Sequence, residues 1–219
     1  MVISKHQHKD RGYKQTVGNF SSCKMGTSVS YSSLLQKDFM YWLEFDPDVL
    51  SYSTPAISFD YYHNGKQKCY APDFQVVRRQ KKQIIEVKPQ KVIERDKYQR
   101  LYQFLSDICN ETGWMFVALT ESEVQREPIL SNIKLLYRYE RENFSVDEYR
   151  GCLETVRSIV PASLTEVAAA LNEQKIRQNV LFKLLFHHLV EIDLNRSINA
   201  DSIITAVSET IEWGVLFNG

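Results

Sequence analysis

Asp73, Glu86 and Lys88 are the residues of this 219-residue chain whose types and spacing point to chemistry. Carboxylates hold a magnesium or manganese ion against a scissile phosphate, and a nearby cation serves the attacking water or the developing negative charge. In the segment APDFQVVRRQKKQIIEVK, Asp73 follows Pro72, and Glu86 and Lys88 stand two apart. Two apart on a strand is one face, so Glu86 and Lys88 point the same way, while Asp73 opens the neighbouring strand. Val87 between them faces the core, and its carbonyl is a further candidate metal ligand. As a bare pattern, Pro-Asp followed by Glu-x-Lys also describes an ordinary surface strand, so the elements around it must carry the case.

Those elements follow from periodicity. Leu35, Phe39, Trp42 and Leu43 recur at helical spacing, which predicts an amphipathic helix over 30–46 with a serine N-cap and a stop at Pro47. An extended piece at 49–52 and an alternating strand at 56–62 follow, then a turn at Asn64-Gly65. Lys68–Val77 and Gln83–Val87 are expected as a hairpin, with Arg78, Arg79, Lys81 and Lys82 at its tip as candidate phosphate contacts. A helix over 93–111, ended by Gly113, leads to a buried strand at 114–119 and a helix at 131–139. Helix, antiparallel strands, helix, strand and helix make an α/β domain with a mixed sheet, the order a PD-(D/E)xK, restriction-endonuclease-like core requires. That domain is expected over 30–145.

Beyond it, helices are expected at 146–159, 164–174, 176–188 and 201–208. The pair around Asn172 and a hairpin within 189–199 suggest a small, mainly α, winged-helix-like domain over 146–219. No helix there is rich in Arg or Lys, so a partner-binding bundle stands beside DNA contact. His187-His188 has no Cys or carboxylate at ligand spacing and is expected to be packed or exposed rather than metal-binding.

The composition is that of a folded protein, 43% hydrophobic and 25% charged, and Lys plus Arg balance Asp plus Glu at 27 each. A purely electrostatic DNA binder is therefore excluded. Charge is uneven, however: residues 1–29 form a basic arm with Lys5, Lys9, Arg11 and Lys14, suited to lie along a DNA backbone by counterion release. Four scattered cysteines argue against a zinc ribbon and a disulfide scaffold. No apolar run approaches a membrane span, and the N-terminus lacks a signal peptide, so a cytoplasmic location is expected. No glycine-rich phosphate loop exists, so ATP hydrolysis belongs to another protein.

Through residues 30–139 the sequence resembles the TnsA family, the endonuclease subunit of heteromeric transposases. The segments that carry the resemblance are SSLLQKDFMYWLEFDPDV, the PDF at 72–74 and IIEVKP at 84–89. It implies a bacterial, Mg2+- or Mn2+-dependent endonuclease that cuts the 5′ ends of a transposon in double-stranded DNA. It also implies a TnsB-like DDE transposase and a TnsC-like AAA+ ATPase regulator as partners, with Asp73 and Glu86 on the metal and Lys88 at the nucleophile or phosphate. The short C-terminal part is similar to compact members from CRISPR-associated transposons. On this resemblance the family's catalytic helix glutamate falls at Gln36, with Glu44 at the end of the same helix. A neutral amide brings one oxygen and no charge to a metal, so Gln36 implies a cleavage-deficient variant, or else an enzyme working with a weaker ligand. A stand-alone restriction or resolvase-type nuclease and a non-catalytic assembly subunit are the competing expectations.

Overall fold

The structure, a computed structural model, describes residues 16–63 and 65–209. The chain divides into two compact units, 1–125 and 126–219.

The first unit begins with a hairpin of β1 (Gly18–Ser22) and β2 (Thr27–Tyr31), so the later part of the basic arm is ordered structure. Lys5, Lys9, Arg11 and Lys14 lie outside the described residues. Helix α1 (Leu34–Phe45) follows, capped by Ser33, whose hydroxyl accepts from the Gln36 amide. Glu44, near its end, accepts from Ser22 Oγ, from the backbone N–H of Cys23 and Lys24, and from Tyr52 Oη. Lys24 Nζ donates to the carbonyls of Leu43 and Asp46 at 2.7 and 2.6 Å, supplying the cation that a helix C-terminus favours. Glu44 thus ties the turn of the first hairpin to α1 and takes no part in the carboxylate site.

Strands β3 (Val49–Ser53), β4 (Phe59–His63), β5 (Lys66–Tyr70), β6 (Phe74–Arg78) and β7 (Lys82–Val87) come next. The strand expected over 68–77 is broken in two. Pro72 has no N–H to give a ladder, and its carbonyl instead accepts from the Ala56 amide at 2.9 Å. As a result β4 and β5 form their own two-stranded hairpin, while β6 crosses into the main sheet. The predicted single helix over 93–111 is also two pieces, α2 (Gln90–Ile93) and α3 (Asp96–Glu111), because Arg95 is extended between them. Gly113, at φ +73°, ends α3 in the conformation that favours glycine. Strand β8 (Met115–Leu119) then runs parallel to β7, and α4 (Glu121–Val124) closes the unit.

The main sheet has the order β3-β6-β7-β8 with a parallel pair at one end, a mixed sheet as expected. Met40 and Leu43 of α1 and Phe74, Val76, Ile84 and Ile85 of the sheet are almost wholly buried, and Phe39 packs edge-on against Phe74. Leu101, Tyr102 and Leu105 of α3 pack with Ile84 and with Phe59 of the second hairpin. Strand β8 is half-buried rather than buried, because it is the edge of the sheet.

The second unit starts with α5 (Ile129–Tyr137), which the sequence assigned to the first domain, followed by α6 (Val146–Ile159). Then come β9 (Ala162–Ser163), α7 (Leu164–Glu173), α8 (Asn179–Phe186), β10 (Val190–Ile192) and β11 (Ile203–Val207). Capping boxes at Ser145/Glu148 and Ser163/Glu166 start α6 and α7 at the places periodicity marks. The helix expected over 201–208 is instead β11, the centre of an antiparallel sheet of order β10-β11-β9. Ile203, Ile204, Thr205 and Val207 are β-branched, and so short a window does not separate the two periods. Among the described residues no helix is long and apolar enough to cross a membrane.

Candidate active site

Strands β6 and β7 bring the expected residues together. Phe74 pairs with Ile85, so Asp73, one residue before β6, lies beside Glu86 on β7. The Asp73 amide donates to Glu86 Oε2 at 3.2 Å, and Asp73 Oδ2 accepts from the Val87 amide at 2.9 Å. Lys88 Nζ sits between the carboxylates, 2.8 Å from Glu86 Oε1 and 3.2 Å from both oxygens of Asp73. Glu86 is 0% exposed. A buried carboxylate needs donors or a cation, and here it has both.

The electrostatics follow from that geometry. Burial pushes the Glu86 carboxyl up, the charge of Asp73 adds to this, and Lys88 opposes it. For Lys88 burial works against the charged form, yet Glu86 and Asp73 outweigh it and hold the ammonium protonated far above its ordinary range. Burial, with the charge of Glu86, likewise keeps the proton on Tyr70, whose hydroxyl donates to Glu86 Oε1 at 2.6 Å.

Gln36 is part of this cluster. Its Oε1 accepts from the amide and the hydroxyl of Ser32 at 2.6 and 2.9 Å, and its Nε2 donates to Asp73 Oδ1 at 2.6 Å. A backbone N–H can only donate, so the Ser32 amide fixes which end of the Gln36 amide is oxygen. The nitrogen therefore faces the carboxylates. In this orientation Gln36 clamps Asp73 and offers no oxygen toward a cation, unlike the ligand role that its position implied.

Do these residues fit a divalent metal? Asp73 and Glu86 present oxygens close enough for one cationic group, Lys88 Nζ, to bridge them, and oxygen donors are what magnesium and manganese take. The two carboxylates would hold the ion. The amide of Val87 is committed to Asp73. Among the described residues no cluster of three or more His, Cys, Asp or Glu side chains is arranged to hold a metal, in keeping with an amide at position 36.

The basic tip is elsewhere. Arg78 ends β6 and the tip turns back into β7, so it stands roughly 17 Å along the strands from Asp73. Arg78 itself is turned inward, paired with Asp46 and Asp48 and donating to Gln83 Oε1 at 2.6 Å. Burial raises the Asp46 carboxyl, but the Arg78 hydrogen bond, the Asp48 amide and the charges of Arg78 and Lys24 together outweigh this and leave it below its usual range. Lys82 lies over the Trp114 ring at 5.8 Å, and the Arg79 amide donates to the Asp48 carbonyl. Only Arg79, Lys81 and Lys82 of the tip remain as candidates for phosphate.

Tyr70 and Tyr102 escaped the sequence reasoning. Tyr70 sits outside the motif, at the end of a different hairpin, and Tyr102 is indistinguishable from a core position of α3. In the second unit, His187 Nε2 lies 2.8 Å from Glu140 Oε2, so a carboxylate distant in sequence does reach it. The two atoms are close without the alignment of a hydrogen bond, and both are buried.

Residues 46–121 match the family model described as TnsA-like endonuclease N terminal. The match spans Asp73, Glu86 and Lys88 and leaves out the whole of α1, including Gln36. No curated protein matches the chain.

Proposed function

Since residues 46–121 match the TnsA-like endonuclease N-terminal model, we propose that the chain is the metal-dependent endonuclease subunit of a heteromeric transposase, cutting the 5′ ends of a transposon. The observation that carries this is the pair of carboxylates on adjacent strands bridged by one protonated lysine. A bound Mg2+ or Mn2+ supplies charge neutralisation at the scissile phosphate and a more acidic attacking water. Asp73 and Glu86 hold that charge in place. Lys88, already protonated, turns its ammonium to a phosphate oxygen. Gln36 keeps Asp73 oriented through its amide nitrogen. Arg79, Lys81 and Lys82, at the far end of the hairpin, would contact the DNA backbone away from the cut.

The second unit supports a protein-docking role more than DNA reading. The winged-helix-like reading of this unit rests on its order α6-β9-α7-α8-β10-β11, in which α8 would be the recognition helix. Yet α8 is apolar and buried, with α5 packed on it through Tyr137–Phe186, and its one base, Lys183, is 2% exposed. The loop after β10 is held back by Asn132, whose Nδ2 donates to the carbonyls of Leu194 and Arg196. A TnsC-like regulator or TnsB-like transposase is the fitting partner, as in the compact transposons associated with CRISPR systems.

Double-stranded DNA carrying transposon ends, incubated with the full chain, the partner transposase and Mg2+ or Mn2+, tests this. Nicks at the 5′ ends are expected, reduced roughly 100-fold or more in Asp73→Ala. Equal nicking by Asp73→Ala would remove the assignment. Gln36 favours one second reading, a non-catalytic assembly subunit, because its amide nitrogen rather than a carboxylate faces Asp73. Absence of nicks with every metal supports that reading, and cutting by the chain without partners supports an independent nuclease.

A further inference from the structure

Three donors converge on the Glu86 carboxylate: Lys88 Nζ, the Asp73 amide and the Tyr70 hydroxyl. They differ in what they do when a divalent cation arrives. The ammonium is itself a cation and competes for the same oxygens. The phenol and the amide are neutral, and a neutral donor can keep its hydrogen bond to one lone pair of a carboxylate oxygen while another lone pair faces a metal. Of these two neutral donors only the phenol reaches Oε1, the oxygen shared with Lys88.

Tyr70 comes from outside the main sheet. It is the last residue of β5, paired across the hairpin with Phe59, which packs into the cluster formed by Ala56, Ile84 and Leu105. Its ring is packed against that same cluster, so the hydroxyl is aimed by hydrophobic packing. Tyr102, from α3, places a second, buried hydroxyl beside Tyr70 in the field of Glu86. Had Tyr70 only filled space, a phenylalanine would have avoided bringing another hydroxyl into this interior.

We propose that Tyr70 is the positioning residue of Glu86, fixing Oε1 for a divalent metal through a hydrogen bond that persists when Lys88 is displaced. This rests on the metal-dependent reading of the same site. Outer hydrogen bonds of this kind orient ligating carboxylates and commonly contribute ten-fold or more to metal affinity.

The test titrates Mn2+ into the full-length protein, with free Mn2+ followed by electron paramagnetic resonance, for the wild type, Tyr70→Phe and Asp73→Ala. Amide hydrogen exchange of β6 and β7 is measured on each, and where nicking is present its half-saturating metal concentration is compared with its rate at saturating metal. Tyr70→Phe is expected to bind Mn2+ roughly ten-fold more weakly with exchange protection unchanged, and to raise the half-saturating metal while its saturated rate stays closer to wild type. Wild-type Mn2+ affinity in Tyr70→Phe overturns the inference while Asp73→Ala, losing the ion, upholds the site. A weakened affinity accompanied by lost protection in β6 and β7 also overturns it, assigning Tyr70 to the fold. Equal Mn2+ binding by wild type and Asp73→Ala overturns both.

Discussion

Lys88 in the first unit is partly buried and Lys183 in the second almost wholly so, and different chemistry meets their charge. Lys183 Nζ donates to the carbonyls of Glu140 and Glu142 at 2.7 and 3.1 Å, neutral acceptors in the segment between α5 and α6. Lys88 donates to two carboxylates on adjacent strands. Carbonyl partners satisfy an ammonium and fix a chain path, and nothing else could take the ammonium's place without the segment moving. Carboxylate partners carry charge of their own, so another cation can replace the lysine while the carboxylates stay. The first arrangement is a strut, and the second is the one into which, on the proposed function, a divalent cation would exchange.

Replacing each lysine by methionine separates the two. Lys183→Met leaves two buried carbonyls without donors, a cost of about 2–5 kcal/mol, and is expected to destabilise the second unit equally in EDTA and in Mg2+. Lys88→Met leaves two carboxylates facing each other, and is expected to destabilise β6 and β7 in EDTA and to regain much of that loss in Mg2+. Unit-resolved hydrogen exchange reads both. Metal rescue of Lys183→Met, or none of Lys88→Met, would break the comparison.

The carboxylate site was legible in the sequence because its residues are adjacent or nearly so: Glu86 and Lys88 share a strand face, and Asp73 sits where the paired strand starts. Of its neighbours, Gln36 was placed there by the resemblance alone, and Tyr70 and Tyr102 by nothing in the sequence. The three reach the site from three other elements, and which end of the Gln36 amide faces Asp73 depends on Ser32, a contact no spacing rule predicts. In the second unit the capping boxes gave the starts of α6 and α7, since capping is local chemistry. Strand β11 reads as a helix in the sequence because its partners, β9 and β10, come from earlier parts of the chain and only pairing reveals them. The inward role of Arg78 is hidden likewise, by acids thirty or more positions away.

Gln36→Glu sharpens the comparison at smaller scale. The substitution exchanges a donor to Asp73 for a third negative oxygen beside it. Without metal the variant is expected to be less stable by about 1–3 kcal/mol, the cost of losing a hydrogen bond to a charged group. With Mg2+ it is expected to bind more tightly than the wild type and to nick transposon ends faster. A melt in EDTA and a metal titration measure the two halves. If Gln36→Glu melts like the wild type in EDTA, the clamp on Asp73 adds no stability.

The smallest effect expected is at an exposed pair, which supplies the contrast for both lysines. Glu148, in the first turn of α6, accepts from Arg177 Nε at 2.6 Å and from the Ser145 amide at 2.8 Å. The Arg177 hydrogen bond, then that amide, hold its carboxyl down at about 2. A carboxyl lowered in the folded state stabilises only while ionised there. The contribution is therefore complete above the ordinary carboxylate value and fades as pH falls from that value toward about 2. Water screens such a pair, so Glu148→Gln is expected to lower the melting temperature of the second unit by at most a few degrees at pH 7. The difference should shrink through the acid range and be gone near pH 2, and added salt should reduce it at pH 7. A difference that persists at pH 2 would mean that the cap geometry, which glutamine alters, and not the charge, holds the start of α6. Lys183→Met should not show that pattern, because Lys183 donates to carbonyls and meets no carboxylate.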